Sequence, residues 1–196
     1  MTPKKVDRAA RREEILAAAV RVFARNGYAA ARMEEVAKEA GVAKGSVYLY
    51  FDSREELLAA AFEGLGTRSA QILQEATTGT GPAVERLAGM VRGIMHYLSR
   101  ERDLSRVLLD LWSAGRGEDS PIDMAAVYDD YRAAITSLLE QAWDEGSALP
   151  VDPAAHASVI VGAIDGCILQ SLLDRAVNPA ELAEPLVRLL VPAARP

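Results

Sequence analysis

The sequence predicts an all-α fold of about nine helices, a small N-terminal head joined to a larger helical body. Three observations predict it. Apolar residues recur at spacings of three and four along nearly the whole chain, and no window alternates polar with β-branched residues as a strand would. Helix starts recur in cap residues followed by proline. Charge is divided: residues 1–54 hold eleven Lys and Arg against seven Asp and Glu, a net of +4, so the remainder carries −10 within the total of −6. A basic N-terminal quarter on an acidic body points to a polyanionic partner at one end, although such asymmetry also arises by chance.

The elements follow in order. Ile15, Ala19, Val22 and Phe23 share one face of a first helix that ends near Asn26-Gly27. Met33, Val36, Ala37 and Ala40 make a second, ended by Gly41, and a short third runs from about Lys44 to Tyr50. The fourth opens at Ser53 with Glu56 three residues on, the spacing at which hydroxyl and carboxylate each satisfy an orphan amide. Gly81-Pro82, Ser120-Pro121, Asp152-Pro153 and Asn178-Pro179 open further helices near 82, 121, 153 and 179, and another lies between Arg102 and Ala114. Residues 114–121, AGRGEDSP, read as a surface turn. No low-complexity linker separates residues 1–52, the head, from residues 53–196, the body; the helix from Ser53 joins them.

Several function classes find no support. Half of the 196 residues are hydrophobic and 26% are charged, as in a soluble domain with a sizeable core. No run of 18 apolar residues predicts a membrane span, and no apolar stretch follows the charged N-terminus. A single cysteine, Cys167, cannot form an internal disulfide, which fits a cytoplasmic protein. For catalysis, His96 and His156 lie far apart, and no Cys/His cluster has metal-ligand spacing. GLGT, 64–67, is too short for a nucleotide loop and follows no strand. No catalytic residue, metal or cofactor is expected.

The short third helix is the informative one. At 100° per residue Val47 and Phe51 fall together and face the core, while Gly45, Ser46 and Leu49 lie opposite. Lys44 and Tyr48 share one flank and Tyr50 takes the other. That outward set suits a DNA major groove. Gly45 admits close backbone approach, Ser46 can bond a base edge or phosphate, and Leu49 can touch a thymine methyl. Lys44, Tyr48 and Tyr50 can reach phosphates. Lys44 stands in the first turn, where the helix dipole disfavours a cation by ~0.3–1 kcal/mol, a cost a phosphate would relieve. The plain alternative is a surface helix with one exposed leucine.

The stretch GYAAARMEEVAKEAGVAKGSVYLYFDSREELL, Gly27 to Leu58, resembles the DNA-binding domain of the TetR family of bacterial transcriptional regulators. The family pattern runs Gly-Tyr, a Thr-rich helix start, Ile/Val-Ala, Ala-Gly-Val-Ser, Gly, Tyr, Tyr/His-Phe and Lys-Glu-x-Leu, and the resemblance covers about residues 10–65. The chain departs from it at Ala31 and Arg32, where Thr or Ser usually stands, at Ala43 in place of Ser, and at Arg54 in place of Lys. The resemblance implies DNA contacts at Lys44, Ser46, Tyr48, Tyr50 and Arg54, with Arg32 taking the phosphate role of the missing hydroxyls. Arg8, Arg11, Arg12, Lys4 and Lys5 form a basic arm that adds phosphate or minor-groove contacts.

In the body, VIVGAIDGCILQSLL, Val159 to Leu173, is apolar nearly all round, and Gly162 and Gly166 permit close approach of another backbone. The last helix adds Leu182, Leu186, Leu189 and Leu190, with Pro185 expected to interrupt or kink it. These residues either complete a monomer core or pair with their copies in a second subunit. The resemblance implies the second: a homodimer with a four-helix interface that includes Gly162, Gly166, Leu169, Leu173, Leu186 and Leu189. Met90, Met95, His96, Tyr97, Trp112, Tyr128 and Tyr131 can each simply fill core, while Asp165 is either a ligand-facing carboxylate or a satisfied interface residue. By the family's example, helices over about 82–175 enclose an effector site, placed here at Tyr97, Trp112, Tyr128 and Asp165. The expectation is a repressor released from an inverted repeat of double-stranded DNA by a small apolar or amphipathic molecule. The alternative is a constitutive dimeric DNA-binding protein without an effector.

Overall fold

The structure, a computed structural model, describes residues 7–113, 123–147 and 152–190, apart from the side chains of Trp112 and Leu190. Among those residues it holds nine α-helices: α1 (Arg8–Asn26), α2 (Met33–Glu39), α3 (Lys44–Tyr48), α4 (Arg54–Thr78), α5 (Ala83–Arg100), α6 (Arg102–Ser113), α7 (Met124–Asp144), α8 (Pro153–Leu173) and α9 (Pro179–Leu190). The all-α reading therefore holds. The chain divides into two compact units, residues 1–66 with 103–122, and residues 67–102 with 123–196. The division falls inside α4 at Gly66, later than Ser53, and α6 joins the first unit.

Packing explains that boundary. The core of the first unit gathers Ile15, Ala19, Val22 and Phe23 of α1, Met33, Val36 and Ala37 of α2, and Val47 and Phe51. Leu57, Leu58, Ala61 and Phe62 of α4 and Leu104, Val107 and Leu111 of α6 are buried in the same core. Asp7 opens α1 by accepting from the Ala9 and Ala10 amides at 3.0 and 3.4 Å. Gly27 and Gly41 end α1 and α2 at φ of +77° and +67°, where a side chain would be strained.

In the second unit α5 packs on α7 and α9, and α7 packs on α8. Leu87, Met90, Met95, Ile135, Leu138, Leu139, Ile160 and Ile164 fill its core. Asp152 caps α8 through the Ala154 amide at 3.1 Å, and Asn178 caps α9 through the Ala180 amide at 3.1 Å, each before the expected proline. The helix expected from Pro121 opens instead at Met124, because Asp123 supplies the cap, 3.0 Å from the Ala126 amide. The expected turn at 114–121 lies outside the described residues. α9 runs helical through Pro185, whose ring stands on the exposed side.

α8 is long and apolar enough to cross a membrane by length and composition alone. Its inner face, Ala157, Ile160 and Ile164, packs into the core of the unit. Its outer face leaves Val159, Leu169 and Leu173 exposed.

Candidate functional site

Two helices and a tight turn build the first site. α2 ends at Gly41, the Val42 amide bonds back to the Ala37 carbonyl at 3.0 Å, and α3 starts at Lys44. α3 is one turn and a half, shorter than the Lys44–Tyr50 expected, with Leu49 as its C-cap. Its phase agrees with the sequence reading. Val47 and Phe51 are buried, whereas Tyr48 is 42% and Leu49 73% exposed. Gly45 is exposed with nothing within 4 Å of where a Cβ would stand, Ser46 is half-buried, and Tyr50 is partly buried against the core. Lys44 stands over the Tyr48 ring at 5.9 Å, so the two share a flank.

Lys44 also pairs with Glu34 on α2. That contact holds the Glu34 carboxyl below its usual range and the Lys44 ammonium above its own. Arg32 precedes α2 in extended backbone, exposed, and its N–H donates to Glu35 Oε2 at 2.9 Å. Glu35 thus supplies half of a capping box where the usual hydroxyl is missing. Ala43, by contrast, leaves α3 without a side-chain cap.

Arg54 is engaged within the head. Its Nη1 donates to the carbonyls of Tyr28, Ala29 and Ala31 at 3.0, 2.9 and 3.3 Å, and its guanidinium stacks on the Tyr28 ring at 4.4 Å. It clamps the 28–31 turn through its carbonyls. The arm also differs: Arg8, Arg11 and Arg12 belong to α1, with Arg11 paired to Glu14 at 2.7 Å and Arg12 over the Phe51 ring at 5.0 Å. Lys4 and Lys5 lie outside the described residues.

Three of the four expected pocket residues, Tyr97, Tyr128 and Asp165, belong to the second unit. Tyr128 on α7 donates to Asp165 Oδ2 on α8 at 2.9 Å, and Tyr97 on α5 packs partly buried against the same core. Burial raises the Asp165 carboxyl and the Tyr128 hydroxyl above their usual ranges. The Trp112 side chain lies outside the described residues. Of the expected dimer residues, Leu169, Leu173 and Leu189 are exposed, with Gly162 exposed and Gly166 half-buried beside them. Leu186 does not join that face: with Ala183 and Val187 it turns into the unit's own core.

The comparisons with known proteins bear on both units. Residues 15–61 match the model of the bacterial regulatory proteins of the tetR family, and residues 83–194 match that of the BetI-type transcriptional repressor C-terminal domain. The chain belongs to the TetR family. It is 31% identical over 183 residues to the HTH-type transcriptional regulator YfiR of Bacillus subtilis, covering 88% of this chain and 86% of that protein. The fatty acid metabolism regulator protein of the same species is 33% identical over 94 residues, about half of each chain at 48%. The solved structure of the transcriptional regulator FadR from Bacillus subtilis, in complex with stearoyl-CoA, superposes with a TM-score of 0.73 at 26% identity, over 91% of this chain and 97% of that one. This TetR-family chain is thus a DNA-binding transcriptional regulator and not an enzyme.

Sequence reading missed four residues that fix the head. Asp110 of α6 accepts the Tyr28 N–H at 2.8 Å. Glu39 joins Arg21 and Arg25 of α1 to α2 at 2.8 and 3.2 Å. Glu35 caps α2 and receives Asn26 at 3.0 Å, and Glu34 holds Lys44. The available signal for three of them was the acidic run in a basic head, Glu34, Glu35 and Glu39. Nothing in the sequence pointed to Asp110.

Proposed function

We propose that the chain works as a homodimeric repressor. α3 of each copy enters the major groove at one half of an inverted repeat, and a small apolar or amphipathic molecule bound in the body releases it. The observation that supports the reading head most directly is α3 itself: Tyr48 and Leu49 project outward while Val47 and Phe51 lock the opposite side into the core. In this reading Gly45 admits the backbone, Ser46 bonds an edge or phosphate, and Leu49 meets a thymine methyl. Lys44, Tyr48, Tyr50 and Arg32 address phosphates, Lys44 exchanging Glu34 for one.

The exposed Leu169, Leu173 and Leu189, with Gly162 and Gly166, form the face that takes a second copy. Two copies set the recognition helices about one helical turn apart, ~34 Å, which a single short helix needs for useful affinity. The stearoyl-CoA complex of the FadR relative supports an amphipathic effector. Such an effector must bind the DNA-incompetent state more tightly, since only differential affinity drives release. Repression is favoured because a bound dimer obstructs a promoter.

Selection of bound fragments from genomic DNA at two salt concentrations tests this. Enrichment of one inverted repeat, with binding that falls as salt rises, is the expected result. Recovery of fragments without a shared repeat would contradict it.

A further inference from the structure

Three carboxylates stand on α2, and two of them hold the head together. Glu35 accepts from the Arg32 amide at 2.9 Å and from the Asn26 side chain at 3.0 Å. Glu39 ties α2 to Arg21 and Arg25 of α1 at 2.8 and 3.2 Å. Glu34 is directed elsewhere. Its carboxylate crosses the turn to α3 and pairs with the Lys44 ammonium, ten residues on.

That pair is solvated: the Lys44 and Glu34 side chains are 52% and 55% exposed. Exposed pairs contribute little to a fold, so stability gives little reason for this one. Its position gives another. Lys44 opens α3 in a first turn that holds no acidic residue, and its ammonium lies over the Tyr48 ring at 5.9 Å. Glu34 therefore sets a negative charge on the flank where Lys44 and Tyr48 address phosphates, and it occupies the cation that a phosphate requires.

We infer that Glu34 is an intramolecular competitor for Lys44, a counter-charge that limits how tightly the head grips the DNA backbone. The inference rests on the reading of α3 as the groove-entering helix and deepens it. For Lys44 to take a phosphate, its pair with Glu34 must open, and the freed carboxylate is then left near like-charged phosphates. Salt weakens the phosphate contact, but it weakens the competing pair as well, so Glu34 also flattens the salt dependence of binding. Both effects act on any sequence alike, because phosphates carry no base identity. Glu34 thus sets affinity without entering base recognition.

The test is a double-mutant cycle on the full chain: the unaltered chain, Glu34→Gln, Lys44→Ala and both together. Each is titrated by fluorescence anisotropy against the selected repeat and against an unrelated duplex of equal length, at several salt concentrations. The unrelated duplex serves even where selection returns no repeat. Glu34→Gln keeps the side chain's length and removes its charge. It is expected to tighten binding to both duplexes about threefold or more at the lowest salt. It is also expected to steepen the salt slope by up to about one for each copy bound. In the Lys44→Ala chain the same substitution is expected to gain less than half as much on a logarithmic scale, since no pair remains to be opened.

Equal tightening in both backgrounds would make Glu34 a general repeller of phosphate and overturn the competition. Tightening confined to the repeat would place Glu34 in base recognition and overturn it too. Weaker binding by Glu34→Gln with a lower unfolding midpoint would assign Glu34 to the first turn of α2, where its charge suits the helix dipole, and overturn the inference. If Lys44→Ala weakens binding while Glu34→Gln changes nothing, the reading of α3 stands and the inference alone falls. If Lys44→Ala binds as tightly as the unaltered chain, the phosphate role of Lys44 falls and the inference with it.

Discussion

Asp110 lies 82 residues from Tyr28 in sequence, yet its carboxylate accepts the Tyr28 amide at 2.8 Å and sits 3.5 Å from where a Gly27 Cβ would stand. Asp110→Ala leaves that part-buried N–H without its acceptor, which costs about 1–3 kcal/mol. Denaturant unfolding is expected to report that loss, and Asp110→Asn, which keeps an oxygen acceptor, is expected to restore most of it. Arg54→Lys replaces a planar fork serving three carbonyls with a point charge, and is expected to loosen the same turn. Residues of this kind were illegible in the sequence for a physical reason. Val47, Phe51 and the Lys44–Tyr48 flank follow from 100° of rotation per residue along one helix. Asp110 and Arg54 take partners chosen by packing between distant elements, about which periodicity carries no information.

At the scale of elements, the helix starts at Arg54, Pro153 and Pro179 were readable because the cap residues act within three or four positions of the chain. α7 starts at Met124, where Asp123 supplies the cap. α3 shows what its sequence lacks: no side chain caps it. Ala43→Ser is expected to stabilise the head by about 1 kcal/mol, read as a rise in unfolding midpoint. The outer face of α8 and α9 could be read as apolar but not assigned to inside or outside. Leu186 turns into the core, while Leu173 is 78% and Leu189 81% exposed. Leu173→Glu combined with Leu189→Glu is expected to convert a dimer to a monomer in sedimentation, with helicity unchanged. A dimer that survives both would place the interface elsewhere.

For the whole molecule, pH acts with two signs. The Arg21 and Arg25 pairs lower the Glu39 carboxyl, so its contribution is present above the usual carboxylate range and is lost as pH falls through the lowered value. Burial raises Asp165, so its effect is opposite: the fold gains from a protonated carboxyl at low pH and loses that gain as pH rises through the raised value. Asp165→Asn without ligand is therefore expected to raise the melting temperature at neutral pH and to narrow its difference from acidic pH. The charge division between head and body, visible in the sequence, carries the other whole-molecule expectation, an affinity for DNA that falls steeply with salt. The central claim is that α3 reads bases through Leu49, and repeating the fragment selection with Leu49→Ala tests it most directly. Base preference is expected to change at one pair of symmetry-related positions, one in each half-site, with the repeat and its spacing otherwise kept. An unchanged preference at every position would contradict it.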